Sequence, residues 1–179
     1  MPLAFEGTPW SDAEEWSCWL ADEATRGRPG RELMRRAVRQ EALTLARVPS
    51  DDVVARFWHY PVDEVPTGFA DLFVHIGAGD GVSAADLLPE PGATAVPPVI
   101  DSVDLPGTRS AVRRLSLGIG HVADRPEAVT PKAEWIAVQG EVVWYLVSVD
   151  FDVAPLHRRL ADADLLFRAN VTAATERRR

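Results

Sequence analysis

Cysteine and lysine are the scarce residues of this 179-residue chain, which has one of each, Cys18 and Lys132. A single cysteine excludes an internal disulfide framework and any two-thiol redox or metal motif. Cys18 sits among acidic residues and not in the electropositive setting a reactive thiolate needs, so it is not expected to act as a nucleophile. The scarcity of lysine beside abundant arginine, alanine, valine and proline reads as the imprint of a GC-rich genome and carries no function. Long apolar runs are missing too. None approaches the roughly 20 residues of a spanning helix. The opening MPLAFEGTPWSDAEEW has neither a basic stretch nor an apolar core, so no secretory leader is expected and the expected location is cytoplasmic. Net positive charge is lacking as well: the formal charge of −8 argues against general binding to nucleic acid or anionic membranes.

Signatures of catalysis are equally sparse. No G-x-S-x-G elbow occurs. The GAGDG run at 77–81 lacks the Lys-Ser/Thr of a phosphate loop and the spacing of a dinucleotide fold, and Asp80 would repel phosphate, so a turn is expected. The four histidines, His59, His75, His121 and His157, have no second ligand at metal-like helical spacing. His59 and His75 lie on strands that could be neighbours, with Asp71 on the face of His75. That is the one arrangement that would suit a metal or a proton shuttle. No metal and no cofactor are expected.

What is present is an ordinary globular composition, 46% hydrophobic and 26% charged, at a length that suits one domain. The chain is organised around residues 133–168: a strand, a turn near Gln139 and Gly140, a second strand, and a helix folding back. The second strand is apolar on both faces, with Val142, Trp144, Leu146 and Ser148 against Val143, Tyr145, Val147 and Val149. It should therefore be central and covered on both sides.

Ahead of it, Ser11 and Glu14 suggest a capping box for a helix at 12–24, with Trp16, Trp19 and Leu20 as its inner face. After a Gly27–Pro29–Gly30 break, a helix at 31–47 presents Arg31, Arg35 and Arg39 as a ridge. The ridge suits pairing with the acidic first helix, or docking an acidic partner. Period-two patterns then predict strands at 55–60, 69–78, 99–105 and 109–119. A rigid proline-rich loop spans 89–98, and another loop spans 120–132. Asp152 and Pro155 open the last helix, whose Leu156, Leu160, Ala163, Phe167 and Val171 form one stripe. The expected fold is α+β: an antiparallel sheet of about six strands, with two N-terminal helices and one C-terminal helix packed on it. That is an α/β/α sandwich, or alternatively a helix-grip.

Within residues 99–173 the sequence carries Leu105–Pro106–Gly107, an arginine-bearing strand at 111–117, Trp135 with Val138, the strand at 142–149, and a helix ending Leu166–Phe167. This run resembles an actinobacterial branch of the PsbP/Mog/LpqN-like superfamily. The resemblance implies a non-catalytic scaffold that binds a protein or small ligand, and it supplies no catalytic residues. The leading expectation is thus an adaptor or chaperone-like domain for another protein, with self-association open and neither nucleic acid nor membrane insertion involved. Its candidate surface is Trp58, Tyr60, Trp135, Trp144, Arg31, Arg35 and Arg39, since exposed aromatic clusters mark interfaces. The alternative is a small apolar ligand under the last helix, and a remote third is an enzyme using His59, Asp71 and His75.

Overall fold

In a computed structural model, residues 1–48, 51–59, 68–122, 125–150 and 156–176 are described. Two helices, α1 (Ala13–Ala24) and α2 (Arg31–Ala46), precede six strands. These are β1 (Val53–His59), β2 (Gly68–Ile76), β3 (Val99–Ser102), β4 (Ser110–Val122), β5 (Arg125–Gln139) and β6 (Val142–Asp150), and α3 (Leu156–Glu176) follows. The sheet is antiparallel throughout, in the order β1-β2-β6-β5-β4-β3. The doubly apolar strand β6 is central, as its pattern requires. The fold is α+β, with helices on both sides of the sheet.

One face is sealed by α3. Trp135, Leu146 and Phe167 are fully buried there, with Ala133, Ala137, Ala163 and Val171 between them. Small residues on the strands let the helix sit close, and each large side chain so buried contributes about 1.5–3 kcal/mol. The core is filled beneath the C-terminal half of α3, whereas a cavity of about 260 Å³, lined by Phe57, Phe69, Ala70, Ser148, Arg159 and Ala163, opens beneath its N-terminal half, the position a helix-grip ligand would take. At the end of β6, Arg159 of α3 pairs with Asp150, both buried. Gly68 is required beside them: a β-carbon there would overlap the Val149 carbonyl oxygen and this ion pair.

The opposite face is covered only at its ends. At the β1–β2 end, Arg56 of β1 reaches from the sheet to the carbonyls of Leu45 and Val48, where α2 finishes. At the β4–β5 end, the segment 77–92 crosses the sheet and packs Ala84, Leu87 and Leu88 on Val112, Ile136, Val138 and Val143. Between the two covers, Phe73, Tyr145, Val147 and Val149 are only half-buried. The second side that β6 was expected to have covered is a trough.

Several local expectations are corrected. The α1 cap is Asp12 rather than Ser11: its carboxylate accepts from the Glu15 amide at 2.9 Å, while Glu15 accepts from the Ser11 amide at 2.7 Å. Trp19 is 46% exposed and lies against Trp10, so the buried side of α1 is Trp16, Ser17 and Ala21. The loop expected at 120–132 is mostly strand, because β5 starts at Arg125. Pro131 is accommodated because β6 pairs with β5 only from Lys132 onward, which leaves the Pro131 nitrogen on an unpaired edge. Asp152 and Pro155 lie outside the described residues. Among the described residues, no helix is long and apolar enough to cross a membrane.

Candidate functional site

The trough floor contains a charged cluster built by strand register. Alternation puts Lys132 and Glu134 of β5 on one face. Glu134 lies opposite Arg114 of β4 and beside β6, whose Tyr145 projects on the same face. Arg114 Nε donates to Glu134 Oε2 at 2.8 Å, and Arg114 Nη2 lies 2.6 Å from the same oxygen. Tyr145 OH donates to Glu134 Oε1 at 2.6 Å, and Lys132 Nζ stands 2.8 Å from Oε1. The third guanidinium nitrogen of Arg114, Nη1, donates to the Pro89 carbonyl at 2.6 Å and so latches the overlying segment to the sheet.

Burying a carboxylate is costly unless both oxygens are satisfied, and here both are. Burial pushes the Glu134 pKa upward, but hydrogen bonds from Lys132, Tyr145 and Arg114 outweigh it, so the carboxyl titrates below its ordinary value. Tyr145 is shifted the other way, by burial and by the bond it donates to Glu134. Both groups are driven away from neutrality. The cluster is a fixed charge, not an acid–base pair poised to exchange protons.

The segment latched by Pro89 divides the trough into two cavities. One, of about 400 Å³, is lined by His75, Leu87, Pro89, Ile136, Val143 and Tyr145, and is largely apolar. Phe73 extends that aromatic side, with its ring 5.7 Å from Tyr145 and 6.4 Å from His75, centroid to centroid. The other, of about 240 Å³, has Arg114, Lys132 and Glu134 with Thr94, Ser116 and Thr130 in its wall.

The residues singled out from sequence are distributed otherwise. Trp135 is fully buried and donates from Nε1 to Asp164 Oδ1 at 3.2 Å; it belongs to the core and not to a surface. Trp144 is half-buried, and its indole nitrogen donates to Gln139 Oε1 at 3.3 Å. It faces Ala137 in register, so the two hairpin tryptophans are not directly opposed. Arg31 and Arg35 bond Asp22 at 2.9 and 2.6 Å, and Arg39 bonds Glu14 at 3.0 Å. The ridge is a zipper between α1 and α2, the pairing with the acidic first helix that the sequence suggested. Trp58 is half-buried and shares a cavity of about 320 Å³ with Trp10, Trp16 and Trp19. Tyr60 lies outside the described residues, as does the side chain of His59.

Asp71 is engaged by Arg56, Nε to Oδ1 at 2.6 Å and Nη2 to Oδ2 at 2.7 Å, so it is not available as the partner of His75. Among the described residues, no group of three or more His, Cys, Asp or Glu is placed to hold a metal ion. The reading from sequence missed Arg114, Lys132, Glu134 and Tyr145. The available signal was Glu134, a carboxylate within the otherwise apolar run AEWIAV, two residues from the chain's one lysine. No family model, curated protein or solved structure matches this chain.

Proposed function

We propose that this protein is a non-catalytic binding domain whose ligand is a small molecule seated in the trough of the sheet. The carrying observation is the pair of cavities on either side of the Arg114–Pro89 latch, one walled by Arg114, Lys132 and Glu134 and the other by Tyr145, which donates to Glu134. Small-molecule sites are concave, mostly apolar, and carry a few convergent polar groups in about 300–1,000 Å³. The two cavities together fall in that range. Fixed charges that hold their protonation state across neutral pH suit recognition better than turnover. The resemblance to the PsbP/Mog/LpqN-like group supports the same class, a scaffold that binds without catalysis.

A protein partner is the second reading. Its support is the exposed Val96 ahead of the edge strand β3, with Val99 and Ile100 exposed at the start of that strand. Native mass spectrometry of protein purified gently from its own host separates the readings. The expected result is a small non-covalent adduct on the chain. A stoichiometric second polypeptide would transfer the function to the β3 edge, and a bare mass would overturn tight binding of either kind.

A further inference from the structure

We infer that the cavity beside Lys132 takes a small oxyanion, a carboxylate or phosphate monoester carried by the ligand of the trough. This inference rests on the small-molecule reading above and names the ligand's polar end. Three observations support it. First, the charges do not cancel: Arg114 and Lys132 bring two cations to one carboxylate, Glu134, leaving one positive charge in a protein whose formal charge is −8. Among the described residues, no second carboxylate lines the cavity.

Second, the two cations are not equivalent. Arg114 has Nε and Nη2 on Glu134 and Nη1 on Pro89, and its side chain is 3% exposed. It is committed to the fold. Lys132 is 36% exposed at its side chain and holds Glu134 through one contact, whereas an ammonium carries three N–H donors. Third, the remaining polar wall is hydroxyl: Thr94, Ser116 and Thr130, groups that donate to an oxyanion without adding charge. A carboxylate or phosphate resting against Lys132 would meet charge-assisted donors on one side and neutral ones on the other. The adjoining apolar cavity past the latch would receive the ligand's body.

Because Lys132 is the chain's one lysine, labelling with ¹³C,¹⁵N-lysine gives an NMR spectrum with a single lysine side chain to follow. The full chain is titrated with inorganic phosphate and with benzoate, against chloride at matched ionic strength. The expected result is a saturable shift of the Lys132 Cε–Hε signal with at least one oxyanion and none with chloride. Saturation by phosphate alone identifies a phosphate site, and saturation by benzoate alone a carboxylate site.

Calorimetry on Lys132→Gln is expected to show about tenfold or greater weakening, the loss of one charge-assisted contact. Lys132→Arg should keep most of the affinity. Glu134→Gln, where it folds, should bind the anion more tightly, an effect that a purely structural glutamate would not produce. An unmoved Lys132 signal in both anions overturns the oxyanion inference. If a small adduct is nonetheless found by native mass spectrometry, the binding-domain reading stands without it.

Discussion

Arg56 and Arg114 occupy the same face of one sheet and are built alike, yet they differ in what surrounds them. Each guanidinium is buried, pairs with a carboxylate across a strand boundary, and donates to a backbone carbonyl of the segment above. Arg56 pins the end of α2, where the helix dipole favours a cation, and it spends Nε and Nη2 on the two oxygens of Asp71. Phe69 lies beneath it, with the guanidinium 5.3 Å from the ring centroid. Arg114 pins the 77–92 segment, but its carboxylate is shared with Lys132 and Tyr145, and a cavity opens on either side. A carboxylate gripped at both oxygens by one buried arginine fastens the fold; one shared with a partly exposed lysine beside a cavity also offers a site. On the far face, Arg159 and Asp150 fasten α3 to the end of β6.

The comparison can be broken most forcefully at the Arg56–Asp71 pair. Arg56→Met leaves Asp71 buried without its partner and should cost about 3–5 kcal/mol in urea unfolding. Arg56→Met with Asp71→Leu removes both charges and should recover most of that loss. A double variant as unstable as the single would show that Arg56 does more than balance Asp71. Next in size, Gly68→Ala drives a methyl into the Val149 carbonyl and the Arg159–Asp150 pair, for an expected loss of about 2–3 kcal/mol by thermal unfolding. An unchanged melting temperature would mean that α3 is not clamped at the end of β6.

Tyr145→Phe sharpens the Arg114 side. It deletes one hydrogen bond to a carboxylate, worth about 1.5–3 kcal/mol near neutral pH. Glu134 has a depressed folded-state pKa, so its stabilisation is present above the ordinary carboxylate value and is lost as pH falls through the folded value. Without Tyr145 the folded pKa moves back toward the ordinary value, so the pH-dependent part of the stability should shrink and its loss should be complete at a higher pH than in the wild type. Identical stability–pH curves would remove Tyr145 from the cluster. The smallest effect is reserved for the helix zipper. Arg35→Gln should leave the urea midpoint unchanged at high salt, since exposed ion pairs are screened.

Much of the architecture was legible because it rests on periodicity. The double apolar pattern of 142–149 identified a central strand, and the stripe through Ala163, Phe167 and Val171 identified the helix that seals one face. The arginine ridge was legible down to its pairing with the acidic first helix. The long β4–β5 hairpin was not, because prolines at 126 and 131 imitate a loop unless it is known that β6 stops short of them. The candidate site was the least legible part. Its four side chains come from three strands, and only register brings Arg114 opposite Glu134. Tryptophan number drew attention to Trp135, whereas the sheet placed that ring in the core and its neighbour Glu134 toward the trough. The one lysine, which composition alone reads as bias, stands at the cavity.

The most direct test of the contrast between Arg56 and Arg114 is urea unfolding in rising phosphate for wild type, Arg56→Met/Asp71→Leu and Lys132→Gln. A ligand that binds only the folded state stabilises it by RT ln(1 + [L]/Kd), and the general salting effect of phosphate is common to all three proteins. The account predicts the same phosphate-dependent gain in wild type and the Arg56–Asp71 double variant, and a smaller gain in Lys132→Gln that reflects salting alone. Equal gains in all three would contradict it.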